Sequence, residues 1–134
     1  MRQGVPMMAT ELGGGGGVDP RITDQAEVGL RRVLQHFGMI EGEPTPLPTR
    51  VIELASNADS LFAQSPGLFD RRATAGTEVK AGDLAGFFHH ISEPERPSTE
   101  VRFPTDGFVL AHTCRGLVDR GDMLALVAQA VETQ

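Results

Sequence analysis

Gly67-Leu68-Phe69, leading to Val79-Lys80-Ala81-Gly82-Asp83-Leu84, is echoed by Gly107-Phe108-Val109, leading to Val118-Asp119-Arg120-Gly121-Asp122-Met123-Leu124. Each half opens with a glycine at a chain reversal and runs on as an apolar strand. It then crosses a turn at Gly-Asp and returns as a second apolar strand, Leu84 to Phe88 in one half and Leu124 to Val127 in the other. Two such halves predict a two-fold β unit, a barrel-sandwich with two pseudo-repeated halves.

Around this pair, residues from Arg50 onward alternate short strands with turns. Strands are predicted over Val51 to Ala55, Leu61 to Gln64, Leu68 to Arg72, Leu84 to Ile91, Glu100 to Phe103, Phe108 to His112 and Met123 to Ala128. Ser92 to Ser98, with Pro94 and Pro97, is the polar connection between the halves. Upstream, Glu41 to Pro48 has three prolines in five residues, a stiff connector at a domain boundary near Thr49. Before it, Ile22, Ala26, Leu30, Val33, Leu34 and Phe37 recur at helical spacing after Asp19-Pro20, predicting an amphipathic helix from about Pro20 to Phe37. The apolar run Gly4 to Leu12, closed by five glycines (Gly13 to Gly17), reads as a buried strand feeding a loop. The fold class is therefore α+β. A strand-loop-helix piece of an α/β domain occupies 1–40, a proline-rich linker 41–49, and the all-β domain 50–134. One strand and one helix cannot bury their own faces or pair the strand's backbone, so the first piece reads as the end of something larger.

The chain has 134 residues, 40% hydrophobic and 22% charged, enough for one packed core with an appended piece. A net charge of −6, a single lysine (Lys80) and no Trp or Tyr argue against a nucleic-acid partner, whose phosphates demand clustered cations and stacking rings. No apolar run approaches the roughly 20 residues that span a bilayer, and no basic region precedes an apolar signal core, so no membrane partner is expected and the protein is read as cytoplasmic. One cysteine, Cys114, cannot form an internal disulfide.

Few residues have the spacing of a site. Barrels with a twofold Gly-Asp pattern include the biotin- and lipoate-carrying domains, which present a lysine at the hairpin joining the halves. Here that segment has no lysine, and Lys80 lies before the first Gly-Asp turn. His89 and His90 are adjacent on a strand and point to opposite faces. His112 and Cys114 share a face but lack a third ligand for zinc. His36 suits the carboxyl end of a helix, and Asp83 and Asp122 read as caps on the backbone amides of their turns. The glycine run could bind an anion through backbone amides, without the lysine of a phosphate-binding loop. Glu11 differs from these, because a carboxylate ending an apolar strand is costly unless it faces a cleft or a partner. A strand end beside a mobile loop is where a general base sits.

Taken in order, Gly4-Val5-Pro6, Thr10-Glu11-Leu12-Gly13-Gly14-Gly15-Gly16, Gly29-Leu30-Arg31-Arg32-Val33-Leu34, Phe37-Gly38-Met39 and then the β unit resemble the carboxyl-terminal portion of the succinylglutamate desuccinylase/aspartoacylase family. These are zinc-dependent deacylases related to the metallocarboxypeptidases. The resemblance implies hydrolysis of N-acyl amino acids or similar amides, with Glu11 acting on a zinc-bound water and delivering its proton to the leaving amine. It also implies that the His-x-x-Glu and later His that hold zinc precede this sequence, since no His comes before His36. The 134 residues alone are then expected to be inactive, with the β unit shaping access to the cleft. A second reading is a non-catalytic binding or assembly module in which the β unit, with its helix, docks onto another protein or onto itself through the apolar face of Leu30, Val33 and Phe37.

Overall fold

A computed structural model describes residues 4, 7–48, 50–54, 56 and 59–131. The chain divides into two compact units, Met1–Pro48 and Thr49–Gln134.

In the first unit, helix α1 spans Pro20–His36, one residue short of the expected end. Asp19 caps it. Its Oδ1 accepts from the Arg21 amide at 2.9 Å, while its carbonyl accepts from the Ile22 and Thr23 amides at 3.1 Å each. Pro20 follows at the first helical position, where a missing N–H removes no bond. At the other end the Met39 amide reaches the Leu34 carbonyl (2.8 Å) and the Gly38 amide the Gln35 carbonyl (2.9 Å). That crossed pair is a Schellman stop with Gly38 in the left-handed position (φ +66°). No residue of α1 is buried. Ile22, Ala26 and Val33 of the expected stripe are half-buried, whereas Leu30 and Phe37 stay exposed at 61% and 46%.

The buried strand expected over Gly4 to Leu12 is not formed. Val5 and Pro6 lie outside the described residues, and Met7–Leu12 is exposed chain without strand pairing (Met7 78%, Leu12 55%). The reason is the absence of a neighbour. A strand's backbone groups need a second strand, and no described residue supplies one here.

The described residues of the second unit form nine strands: β1 (Ile52–Glu53), β2 (Ser60–Phe62), β3 (Gly67–Arg71), β4 (Glu78–Val79), β5 (Leu84–His89), β6 (Thr99–Arg102), β7 (Gly107–His112), β8 (Leu117–Val118) and β9 (Met123–Ala130). Ala55, part of the expected first strand, lies outside the described residues. Two antiparallel sheets result. One runs β1-β9-β7-β4 with β2 also on β9, and the other runs β6-β5-β3-β8. Among the described residues these are open sheets and not the closed barrel that the sequence suggested.

Each Gly-Asp turn carries the chain from one sheet to the other. β4 pairs with β7 (Glu78↔Phe108, Val79↔Gly107) while β5 pairs with β3, and β8 pairs with β3 (Gly67↔Val118, Leu68↔Leu117) while β9 pairs with β7. Each half thus lends its short strand to the long strand of the other. The turns themselves match bond for bond. Asp83 Oδ2 accepts from the Lys80 amide (2.8 Å) and Asp122 Oδ2 from the Asp119 amide (2.9 Å), with glycine at φ +90° in both. The first turn exchanges two backbone bonds with Phe103 and the second two with Ala63. Between the sheets lies one core, in which Phe69, Ala85 and Phe88 of one sheet meet Val79, Val109, Leu124 and Val127 of the other.

Candidate functional site

Glu11 sits in the exposed extended segment of the first unit, two residues before the glycine run touches the helix. The touch is close, since a Cβ on Gly13 would come within 3.2 Å of Ile22 Cδ1. The segment therefore folds back on the first turn of α1. Thr10 Oγ1 donates to the Glu11 carbonyl at 3.5 Å. Its carboxylate faces solvent, free to meet a proton donor or acceptor. The positive end of α1 is already answered by Asp19, whose carboxyl lies below its ordinary value through the Arg21 side chain (3.1 Å) and then the Arg21 amide.

The histidines remain apart. His36 closes the last turn of α1 with its ring edge against Phe37, centroids 5.1 Å apart. His89 is exposed at the end of β5, and the next residue, His90, holds Thr99 Oγ1 through Nε2 at 3.0 Å. His112 Nδ1 donates to the Thr113 carbonyl at 3.0 Å, and Cys114 is an exposed free thiol. Among the described residues no group of three or more His, Cys, Asp and Glu is placed to hold a metal ion.

One arrangement escaped sequence reasoning. Asp106, in the bend before β7, accepts from the Ala81 amide at 2.8 Å and from Lys80 Nζ at 3.3 Å, tying one half of the β unit to the Gly-Asp turn of the other. These two donors, the amide first, hold its carboxyl below the ordinary value. A shallow groove of about 440 Å³ opens beside the pair, lined also by Glu78, Phe108 and Gln129, and the Arg50 guanidinium lies over the Phe108 ring at 4.1 Å. The groove offers fixed charges and an aromatic face but no activated nucleophile. The contact joins residues 26 apart, a pairing that no local pattern announces.

No family model matches the chain. It is 31% identical, over 98% of its length, to the N-alpha-acetyl-L-2,4-diaminobutyric acid deacetylase of Halomonas elongata, and covers 39% of that protein. Among solved structures it matches a succinylglutamate desuccinylase/aspartoacylase from Rhodobacter sphaeroides at 31% identity and a TM-score of 0.79, covering 90% of this chain and 39% of that one. It also matches the product-bound ectoine utilization protein EutE of Ruegeria pomeroyi at 32% identity and a TM-score of 0.75, covering 89% and 36%. The chain thus spans under two fifths of the length of these relatives. By sequence and by fold the chain is similar to the carboxyl-terminal portion of members of the succinylglutamate desuccinylase/aspartoacylase family.

Proposed function

We propose that these residues are the carboxyl-terminal part of a zinc-dependent hydrolase that deacylates N-acyl amino acids or related amides, with Glu11 as its proton-transfer group. The observation that carries this reading is the 31% identity to a deacetylase of an acetylated diamino acid, sustained over 98% of the chain. In the reaction a water oxygen bonds to the acyl carbon and the C–N bond breaks. Glu11 takes one water proton and gives it to the departing nitrogen, and the acid's remaining proton passes to the amine, leaving a carboxylate and an ammonium group. The exposed carboxylate of Glu11 at the mouth of the glycine run supports that role. The described residues do not fit zinc, so no step is assigned to a metal here. We place zinc with the part of the relatives' length that this chain does not span.

The 1–40 piece, on this reading, belongs to the catalytic domain, 41–49 links it to the next, and 50–134 is a barrel-sandwich of two pseudo-repeated halves that shapes access to the cleft. The matched Gly-Asp turns and the exchange of β4 and β8 support the repeat. A second reading, a non-catalytic binding or assembly module, is favoured by one observation, the exposure of Leu30 on α1 and of Phe37 at its carboxyl-terminal cap.

The test joins this chain to the upstream part of the Halomonas elongata deacetylase and assays a panel of N-acyl amino acids. Hydrolysis by the joined protein, reduced at least about 100-fold by Glu11→Gln, is the expected outcome. Full activity in the Glu11→Gln protein would remove Glu11 from the mechanism. Inactivity of the joined protein would favour the assembly module.

A further inference from the structure

Strand β6 (Thr99–Arg102) leaves one long edge of the β unit open. Among the described residues it ends its sheet, paired with β5 on one side and with no strand on the other, whereas the other terminal strands, β1, β4 and β8, have two residues each. Its direction is fixed where it meets the first Gly-Asp turn. The Phe103 amide donates to the Asp83 carbonyl at 2.9 Å and the Phe103 carbonyl accepts from the Gly82 amide at 2.8 Å, so Phe103, and by alternation Val101 and Thr99, turn their backbone groups towards β5. Those of Glu100 and Arg102 turn outward. Side chains alternate in step. Phe103 and Val101 pack with the core, while Glu100 and Arg102 lie exposed and joined, Arg102 Nε donating to the Glu100 carboxylate at 3.1 Å. Pro97 and Pro104 bound the stretch, and a proline offers no amide to lengthen it.

We infer that β6 pairs antiparallel with β6 of a second copy of this chain, about a two-fold axis at Val101. The charges select both occupant and register. With Val101 opposite Val101, Glu100 of each copy faces Arg102 of the other. These are the two residues whose amides and carbonyls point outward, so each pair exchanges backbone bonds while opposite charges meet. An axis at Glu100 or at Arg102 sets like charges face to face, and an axis between residues sets outward groups against inward ones. A proline or charges of one sign would blunt the edge against a second copy, but β6 carries one charge of each sign in self-complementary order. The product is a continuous sheet running β8-β3-β5-β6 and on through the second copy's β6-β5-β3-β8. Nothing in this pairing depends on the deacylase chemistry proposed above.

Sedimentation and single-residue hydrogen exchange of the 134-residue chain test it. So short an edge buries far less than a standard interface, and a dissociation constant on the order of 0.1–1 mM is expected. Exchange should slow with protein concentration at the Glu100 and Arg102 amides and stay constant at Val101. Glu100→Arg and Arg102→Glu each set like charges opposite one another and should weaken self-association at least about tenfold, yet the two proteins mixed should form a one-to-one heterodimer as tight as the parent dimer. Unchanged exchange in the centre of β9 shows that each variant is folded. Should either fail to fold, the concentration dependence of exchange in the parent chain decides alone. A chain still monomeric well above the expected range, a dimer whose slowed amides lie elsewhere, as on α1, or folded variants that do not complement one another would overturn the assignment.

Discussion

Asp106 is the residue whose chemistry is most closely tied to the shape of the β unit. Its carboxyl is held below the ordinary value in the folded chain, so its contribution to stability is complete above the usual carboxylate range and is lost as pH falls through the lowered value. Asp106→Asn should therefore flatten part of the acid limb of a stability-against-pH curve followed by denaturant unfolding, with little change near neutrality in its shape. A wild-type curve that is equally flat would refute the role. Glycines separate into two kinds. At Gly82 an added Cβ would meet nothing within 4 Å, so Gly82→Ala is opposed only by the backbone at φ +90°, and a loss of roughly 1–2 kcal/mol is expected. At Gly86 it would lie 2.5 Å from the Asp70 carbonyl oxygen, so Gly86→Ala should reach or exceed the top of the ~1–3 kcal/mol range for overpacking. Thermal melts of both variants decide the order. The Gly-Asp caps were legible in the sequence because an Asp side chain reaching the amide three residues back is a local geometry. The Asp106 contact was not, because it depends on two turns meeting in space.

Among elements, β9 and α1 stand at opposite ends of the stability scale. β9 is paired along both edges, to β7 on one side and to β2 and β1 on the other, and buries Leu124 and Val127 almost completely. Leu124→Ala should cost about 2–5 kcal/mol, read as a fall in the melting midpoint of the β unit. α1 has good caps at both ends but no buried residue, and a helix of 17 residues is marginal without tertiary packing. Its amides are expected to exchange orders of magnitude faster than those of β9. Equal protection would show that the free chain already covers its apolar stripe. The helix was legible from its caps and 3.6-residue spacing, and its position came within one residue. The strand over Gly4 to Leu12 was misread because an apolar run shows only what a segment would bury, and a partner strand must exist elsewhere for it to form.

For the whole molecule, the separation into Met1–Pro48 and Thr49–Gln134 divides the proposed chemistry from the packed core. The carboxylate assigned to proton transfer lies in the unit with no buried helix residue, and the core lies in the other. The 134 residues by themselves are accordingly expected to hydrolyse no member of an N-acyl amino acid panel, with or without added zinc. Turnover by the isolated chain that rises in proportion to its concentration and vanishes in Glu11→Gln would contradict this.

By itself the sequence determined the β character of the second unit, the capped helix, the two matched turns and the likeness to the family, since each depends on residues near one another in the chain or on their order. Only the tertiary structure decided that each half lends its short strand to the other sheet, that Asp106 bridges the halves, and that Met7–Leu12 stands unpaired. Those outcomes turn on which distant backbone groups find partners. A strand carries the same alternation of side chains whichever neighbour accepts its hydrogen bonds, so pairing is settled by the packing of the whole unit.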